Sequence, residues 1–108
     1  MVLSGTLEES RLAIEQLPGS LTLSLWFDDS DGPTVGELLP AIVNKSGRII
    51  FNGVPTGVRV AAGMIHGGPF PATNRPDTTA VGPRAVERWC RPVCFQGCPG
   101  GLLPLELR

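Results

Sequence analysis

A strand–helix–strand pattern between Ser20 and Asn52 restricts the fold of this chain more than any other feature. Ser20-Leu21-Thr22-Leu23-Ser24-Leu25-Trp26-Phe27 alternates, with Leu21, Leu23, Leu25 and Phe27 on one side and Ser20, Thr22 and Ser24 on the other. That period belongs to a strand with one buried face. Val35, Leu38, Leu39, Ile42 and Val43 then recur at helical spacing behind Pro33, which suits a first helical position. Pro40 lies inside this stripe, but its ring presses on the turn at Gly36, where no side chain clashes, so a kink is expected rather than a break. Lys45 is placed to favour the negative end of the helix, and Gly47 to supply a left-handed cap. Arg48-Ile49-Ile50-Phe51-Asn52 is a second short apolar strand. A crossover of this kind is nearly always right-handed and gives parallel strands.

Two parallel strands do not close a fold, because their outer edges still need partners. The rest of the chain offers little. Thr6-Leu7-Glu8-Glu9 has the form of a capping box, and the helix it opens carries Leu7, Ile14 and Leu17 near one face before Pro18-Gly19 stops it. From Gly53 to about Val81 no element is predicted, and so long a loop inside a compact domain is commonly functional. Gly82-Pro83 opens a short helix from Arg84 to about Cys90, with Ala85, Val86 and Trp89 as its apolar side. Pro92-Val93-Cys94-Phe95-Gln96 reads as a last strand, with Pro92 at its first residue or on an edge. The tail from Gly97 to Arg108 is rich in Gly, Pro and Leu and is expected to pack loosely. The fold class is therefore α/β with parallel strands, expected at 20–27, 48–52 and 92–96.

Composition narrows the function. The 14 glycines and 11 prolines crowd into the second half, and a chain of 108 residues has little core to spare for such loops. Either another chain covers its apolar faces or its stability is low. A net charge of -1, with no basic stripe, argues against nucleic acid as a partner. No signal-like start and no apolar run near the roughly 18 residues of a membrane span are present, so neither secretion nor a membrane is expected. Three cysteines suit reduced thiols in the cytoplasm better than a disulfide scaffold.

The motifs are individually weak. Cys90, Cys94 and Cys98 have C-x3-C-x3-C spacing, whereas metal sites favour four ligands and C-x2-C pairs, so packing, redox and metal roles stay open with no metal site assigned. His66-Gly67-Gly68-Pro69 sets a histidine beside backbone that a ligand can approach closely, or makes a simple tight turn. No local partner makes His66 an acid–base pair. A phosphate loop needs a strand before and a helix after, which Pro69-Phe70-Pro71 does not provide. Arg84, Arg88 and Arg91 fall on one side of the short helix, either as a solvated face or as a surface for an acidic partner.

Taken in order, several stretches form a recognisable series. Gly47-Arg48-Ile49-Ile50-Phe51-Asn52-Gly53-Val54-Pro55-Thr56-Gly57-Val58 and Met64-Ile65-His66-Gly67-Gly68-Pro69-Phe70-Pro71-Ala72-Thr73 resemble the aldehyde dehydrogenase superfamily, and within it the branch containing the α-ketoglutaric semialdehyde dehydrogenases. Leu17-Pro18-Gly19-Ser20-Leu21-Thr22 upstream, and Thr78-Thr79-Ala80-Val81-Gly82, Ala85-Val86-Glu87-Arg88 and Arg91-Pro92-Val93-Cys94-Phe95-Gln96 downstream, continue it over about residues 7 to 107. The resemblance implies the C-terminal segment of such an enzyme, a family that oxidises aldehydes with NAD or NADP through a cysteine thiohemiacetal and thioester. Residues 1–91 would then end the catalytic domain, and 92–108 would be the oligomerisation strand and tail. The loop from Asn52 to Phe70 would line the aldehyde pocket, with Asn52, Val54, Pro55, Met64, Ile65, His66 and Phe70 as its site residues. Pro92, Val93, Cys94, Phe95 and Gln96 would join a neighbouring subunit's sheet.

The same resemblance places the family's nucleophilic cysteine, general-base glutamate, oxyanion-hole asparagine and cofactor domain upstream of the matched stretch. No catalytic residue is therefore assigned in this chain, no cofactor is expected on it alone, and by itself it is expected to be inactive. Branch members tend to carry an acidic residue where Arg59 stands and bulkier or polar ones at Ala61 and Ala62, which alters the charge the loop would present. Three roles follow: a truncated dehydrogenase segment, an interaction module that self-associates or docks on an intact dehydrogenase, or one half of a split enzyme.

Overall fold

A computed structural model describes residues 1–108. Helix α1 spans Leu7–Gln16, strand β1 Ser20–Leu25, helix α2 Gly32–Val43 and strand β2 Ser46–Phe51. The two strands pair in parallel, with Leu23 opposite Ile49 and Leu25 opposite Phe51. Thr6 and Glu9 form the expected capping box: the Thr6 hydroxyl accepts from the Glu9 amide, and the Glu9 carboxylate accepts from the Thr6 amide at 2.8 Å. Both helices lie against the sheet face that carries Leu23, Leu25 and Ile49, and there Ile14, Leu38 and Ile42 form the core.

That core is small. Only Ile14, Leu38 and Ile42 are buried hydrophobics. The accessible surface of 8086 Å² exceeds the roughly 5,800 Å² expected of a compact monomer of this mass. The radius of gyration is 19.3 Å, against about 13 Å for a compact chain of this length. The excess comes from the second half, which runs out along a body 63 Å long and leaves Trp89, Leu102 and Leu105 exposed. No helix is long and apolar enough to cross a membrane.

Several expectations are corrected. Pro92–Gln96 forms no strand; its residues are exposed and pair with nothing, because an edge segment has no ladder until another strand supplies one. The segment Pro83–Trp89 is a 3-10 helix instead of an α-helix. Three residues per turn bring Arg84 over Glu87, which it grips at 2.9 Å, and Arg88 folds over the ring of Trp89 instead of extending a row of arginines. β1 stops at Leu25, two residues short of Phe27, and β2 begins at Ser46, two residues before Arg48.

Gly47 is no left-handed cap; it lies inside β2. α2 ends on Asn44, whose side-chain amide donates to the Pro40 carbonyl at 3.0 Å. Lys45 does neutralise a helix C-terminus, but that of α1: its ammonium donates to the carbonyls of Glu15 at 2.8 Å and Leu17 at 2.9 Å. Val43, predicted for the buried stripe, is 60% exposed, because the last turn of α2 turns Ile42 into the core and leaves its neighbour outside. α2 is continuous through Pro40.

Candidate functional site

The segment from Gly53 to Val81 contains neither helix nor strand, as predicted, yet it is held at three places. The first is its start. Asn52 has φ 47°, a left-handed conformation that asparagine tolerates better than most residues. Its side-chain oxygen accepts from the Phe27 amide at 2.8 Å and its side-chain nitrogen donates to the Phe27 carbonyl at 2.9 Å. With the Asn52 amide donating to the Leu25 carbonyl at 2.7 Å, the side chain prolongs the ladder where β1 and β2 have stopped. Phe27 and Phe51 meet edge to face beside it, at 6.2 Å between centroids.

The second hold is Arg48, whose guanidinium donates to the carbonyls of Thr56 at 3.5 Å and Gly57 at 3.3 Å. The third is glycine packing. A side chain at Gly47 would run into the Gly67 carbonyl, and one at Gly19 into those of Phe70 and Pro69, so the Gly67–Phe70 backbone lies directly on the starts of β1 and β2. Beyond it, the His66 amide donates to the Thr79 hydroxyl at 2.8 Å and the His66 carbonyl accepts from Ala80 at 3.0 Å. Thr79 is almost completely buried and its hydroxyl donates on to the Val81 carbonyl. The Phe70–Pro71 bond is cis.

The predicted loop residues therefore separate. Asn52 secures the loop base. Val54, Pro55 and Phe70 are exposed, with Phe70 79% accessible. Met64, Ile65 and His66 are half-buried, and His66 Nδ1 is enclosed without a hydrogen-bond partner. Two open depressions mark the surface, one lined by Trp26, Phe27, Asp28, Asp31 and Asn52, the other by Arg11, Glu15, Glu37, Asn44 and Lys45 with Pro40 and Ala41. Only Asn52 of the predicted set lines either. Arg48, Lys45 and Thr79 were not singled out as site residues. The signal for Arg48 is a cation in an otherwise apolar strand and that for Lys45 a cation beside a helix end; nothing local marks Thr79.

The Gly67–Gly68 loop does not form a phosphate cradle. Gly67 and Gly68 are buried against the carbonyls of Thr78 and Ser20, and no helix follows them before Pro83. A pyrophosphate would find no helix N-terminus there. Cys90 and Cys94 are exposed, Cys98 is partly so, and all three are free thiols. No group of three or more His, Cys, Asp or Glu residues is gathered as a metal site.

No family model matches the chain. Individual relatives do. It is 50% identical over 102 residues to α-ketoglutaric semialdehyde dehydrogenase 2 of Azospirillum brasilense, a match covering 94% of this chain and 19% of that protein. It is also 50% identical over 95 residues to α-ketoglutaric semialdehyde dehydrogenase of Acinetobacter baylyi, covering 88% of the chain and 18% of the relative. The chain belongs to the aldehyde dehydrogenase superfamily. It corresponds to a C-terminal segment and spans under a fifth of the length of these curated relatives.

Proposed function

We propose that the chain is the C-terminal part of the catalytic domain of an NAD(P)-dependent α-ketoglutaric semialdehyde dehydrogenase, working in the cytoplasm within a larger oligomeric assembly. The single observation that carries this reading is the 50% identity sustained over 102 residues. In it, residues 1–91 complete the catalytic domain and the loop from Asn52 to Phe70 faces the aldehyde. Residues 92–108 form the oligomerising arm, with Pro92–Gln96 becoming a strand when a neighbouring subunit offers an edge. The extended shape and the exposed Val93 and Phe95 support an arm that is completed by contact. The nucleophile and the hydride-acceptor site come from the upstream part of the enzyme, so these residues alone do not turn over.

What the chain contributes is shape and position. Its loop would hold apolar side chains and carbonyls against the bound aldehyde, so its contribution is to substrate binding. The test is a graft: the upstream part of the Azospirillum enzyme joined to these residues in place of its own matched segment. The expected result is reduction of NAD or NADP on adding α-ketoglutaric semialdehyde, with none from the chain by itself. A folded graft that is inert, or a chain that turns over alone, refutes the proposal. An interaction module that docks on an intact dehydrogenase is the second reading, favoured by the large exposed surface. It predicts co-migration of the separate chain with the intact relative on size exclusion.

A further inference from the structure

The structure assigns Arg48 as the positioning residue of the substrate-facing loop, an assignment that builds on the function proposed above for that loop. Arg48 stands in the middle of β2, opposite Thr22, and is half-buried. The chain's three ion pairs engage Arg11, Arg75 and Arg84, so the Arg48 guanidinium has no carboxylate partner within 4.0 Å. It spends two donors on consecutive loop carbonyls, those of Thr56 and Gly57. The loop is folded tightly at that point, the Thr56 amide donating to the Val54 carbonyl at 2.8 Å in a three-residue turn. A planar guanidinium reaching two successive carbonyls fixes both the height and the rotation of the turn, as a single ammonium cannot. Val54 and Pro55, the apolar residues at the tip, are therefore set by a side chain rooted in the sheet. With Asn52 fixed to Phe27 on one side and Gly67–Phe70 packed on the strand starts on the other, Arg48 is the one side chain whose hydrogen bonds reach the intervening stretch from the sheet.

Arg48 acts on the reaction through the loop, so its loss affects substrate placement more than the chemical step. The experiment uses the active graft with Arg48→Met, Arg48→Gln and Arg48→Lys, read two ways. Amide exchange by mass spectrometry over residues 54–60 reports the clamp itself, and steady-state kinetics report its consequence. For Arg48→Met and Arg48→Gln, exchange over the turn rises about tenfold and KM for the semialdehyde rises about tenfold, while kcat stays within about twofold, the split expected when uniform binding is lost. Arg48→Lys falls between them and the unaltered protein. Unchanged exchange in both neutral variants overturns the clamp. Faster exchange with unmoved KM, or with kcat falling as far as KM rises, overturns its positioning role. If the graft itself shows no turnover, the functional reading fails, and the exchange measurement still decides the clamp. Should Arg48→Met not fold, Arg48→Gln keeps a polar side chain near the sheet and carries the same comparison.

Discussion

Replacing Asn52 tests whether one side-chain amide truly ends the sheet. Two hydrogen bonds to Phe27, at 2.8 and 2.9 Å, disappear in Asn52→Ala. Each is exposed, so each contributes at the low end of roughly 0.5–1.5 kcal/mol. Alanine must also keep φ at 47°, a left-handed conformation that costs a residue with a Cβ about 1–2 kcal/mol. The sum is about 2–3 kcal/mol. Asn52→Gly loses the same two bonds but adopts that φ freely, so it should lose about 1 kcal/mol less despite its greater flexibility when unfolded. Asn52→Asp keeps an acceptor for the Phe27 amide but turns a carboxylate oxygen toward the Phe27 carbonyl. Above the carboxylate pKa it should be at least as damaging as alanine, and it should recover in acid. Urea unfolding followed by far-ultraviolet circular dichroism, on the chain and on the graft, ranks the variants. An Asn52→Ala protein as stable as the parent, or one more stable than Asn52→Gly, refutes the account.

Three further outcomes follow from contacts already described. Gly47→Ala pushes a methyl into the Gly67 carbonyl, so the Gly67–Phe70 backbone must lift from the strand starts; amide exchange should accelerate at His66 and Ala80, and equal exchange in the two proteins would contradict the packing. Lys45→Met removes both donors to the α1 carbonyls and should cost about 1–3 kcal/mol in urea unfolding, with Lys45→Arg restoring part of it; no loss in the methionine variant would mean that water serves those carbonyls as well. The Glu9 carboxylate is held below its usual pKa mainly by the Thr6 amide and then by the Thr6 hydroxyl. A depressed folded pKa means the contribution is complete above the unfolded value of 4.5 and is lost as pH falls through the folded one. The helical signal of α1 should therefore fray as pH falls below the unfolded value of 4.5; Glu9→Gln should flatten that response, and an unchanged acid profile in Glu9→Gln would disprove the link.

How much of this was legible depended on the range of the contacts. The capping box at Thr6 and Glu9 lies within one turn, and Leu23 and Leu25 repeat within one strand, so local periodicity exposed both, although Leu21, expected on the same buried face, is 39% exposed because it lies outside the core. Burial of Ile14, Leu38 and Ile42 followed from the same periods. Lys45 shows where local reading stops. Its neighbours in sequence belong to α2, but parallel pairing brings it under the end of α1, and the same attraction of a cation for helix carbonyls acts on a helix 28 residues away. Gly47 misled for a related reason. A glycine after a helix suggests a left-handed cap, whereas this one makes room for backbone that arrives from Gly67. Within the loop, Asn52 and His66 stood out as residue types, yet that both act as anchors depends on the partners at Phe27 and Thr79.

The segment Pro92–Gln96 carries the relation between sequence and function furthest. Its residues have the composition of a strand, and the chain gives that strand nothing to pair with. β1 and β2 also keep open outer edges, while Trp89, Leu102 and Leu105 lie in water. These features share one cause. The core around Ile14, Leu38 and Ile42 is too small to cover them, and the 8086 Å² of accessible area exceeds the roughly 5,800 Å² of a compact monomer of this mass. The elements that fold well are those whose partners fall between Thr6 and Phe51, and the segments that stay extended pair with nothing among these residues. The loop from Asn52 to Phe70 lies between the two regimes: it is anchored to the sheet at both ends and through Arg48, with Val54, Pro55 and Phe70 exposed and Met64 and Ile65 half-buried. A loop anchored in this way, with Val54, Pro55 and Phe70 uncovered, is what the proposed role as one wall of a substrate site requires.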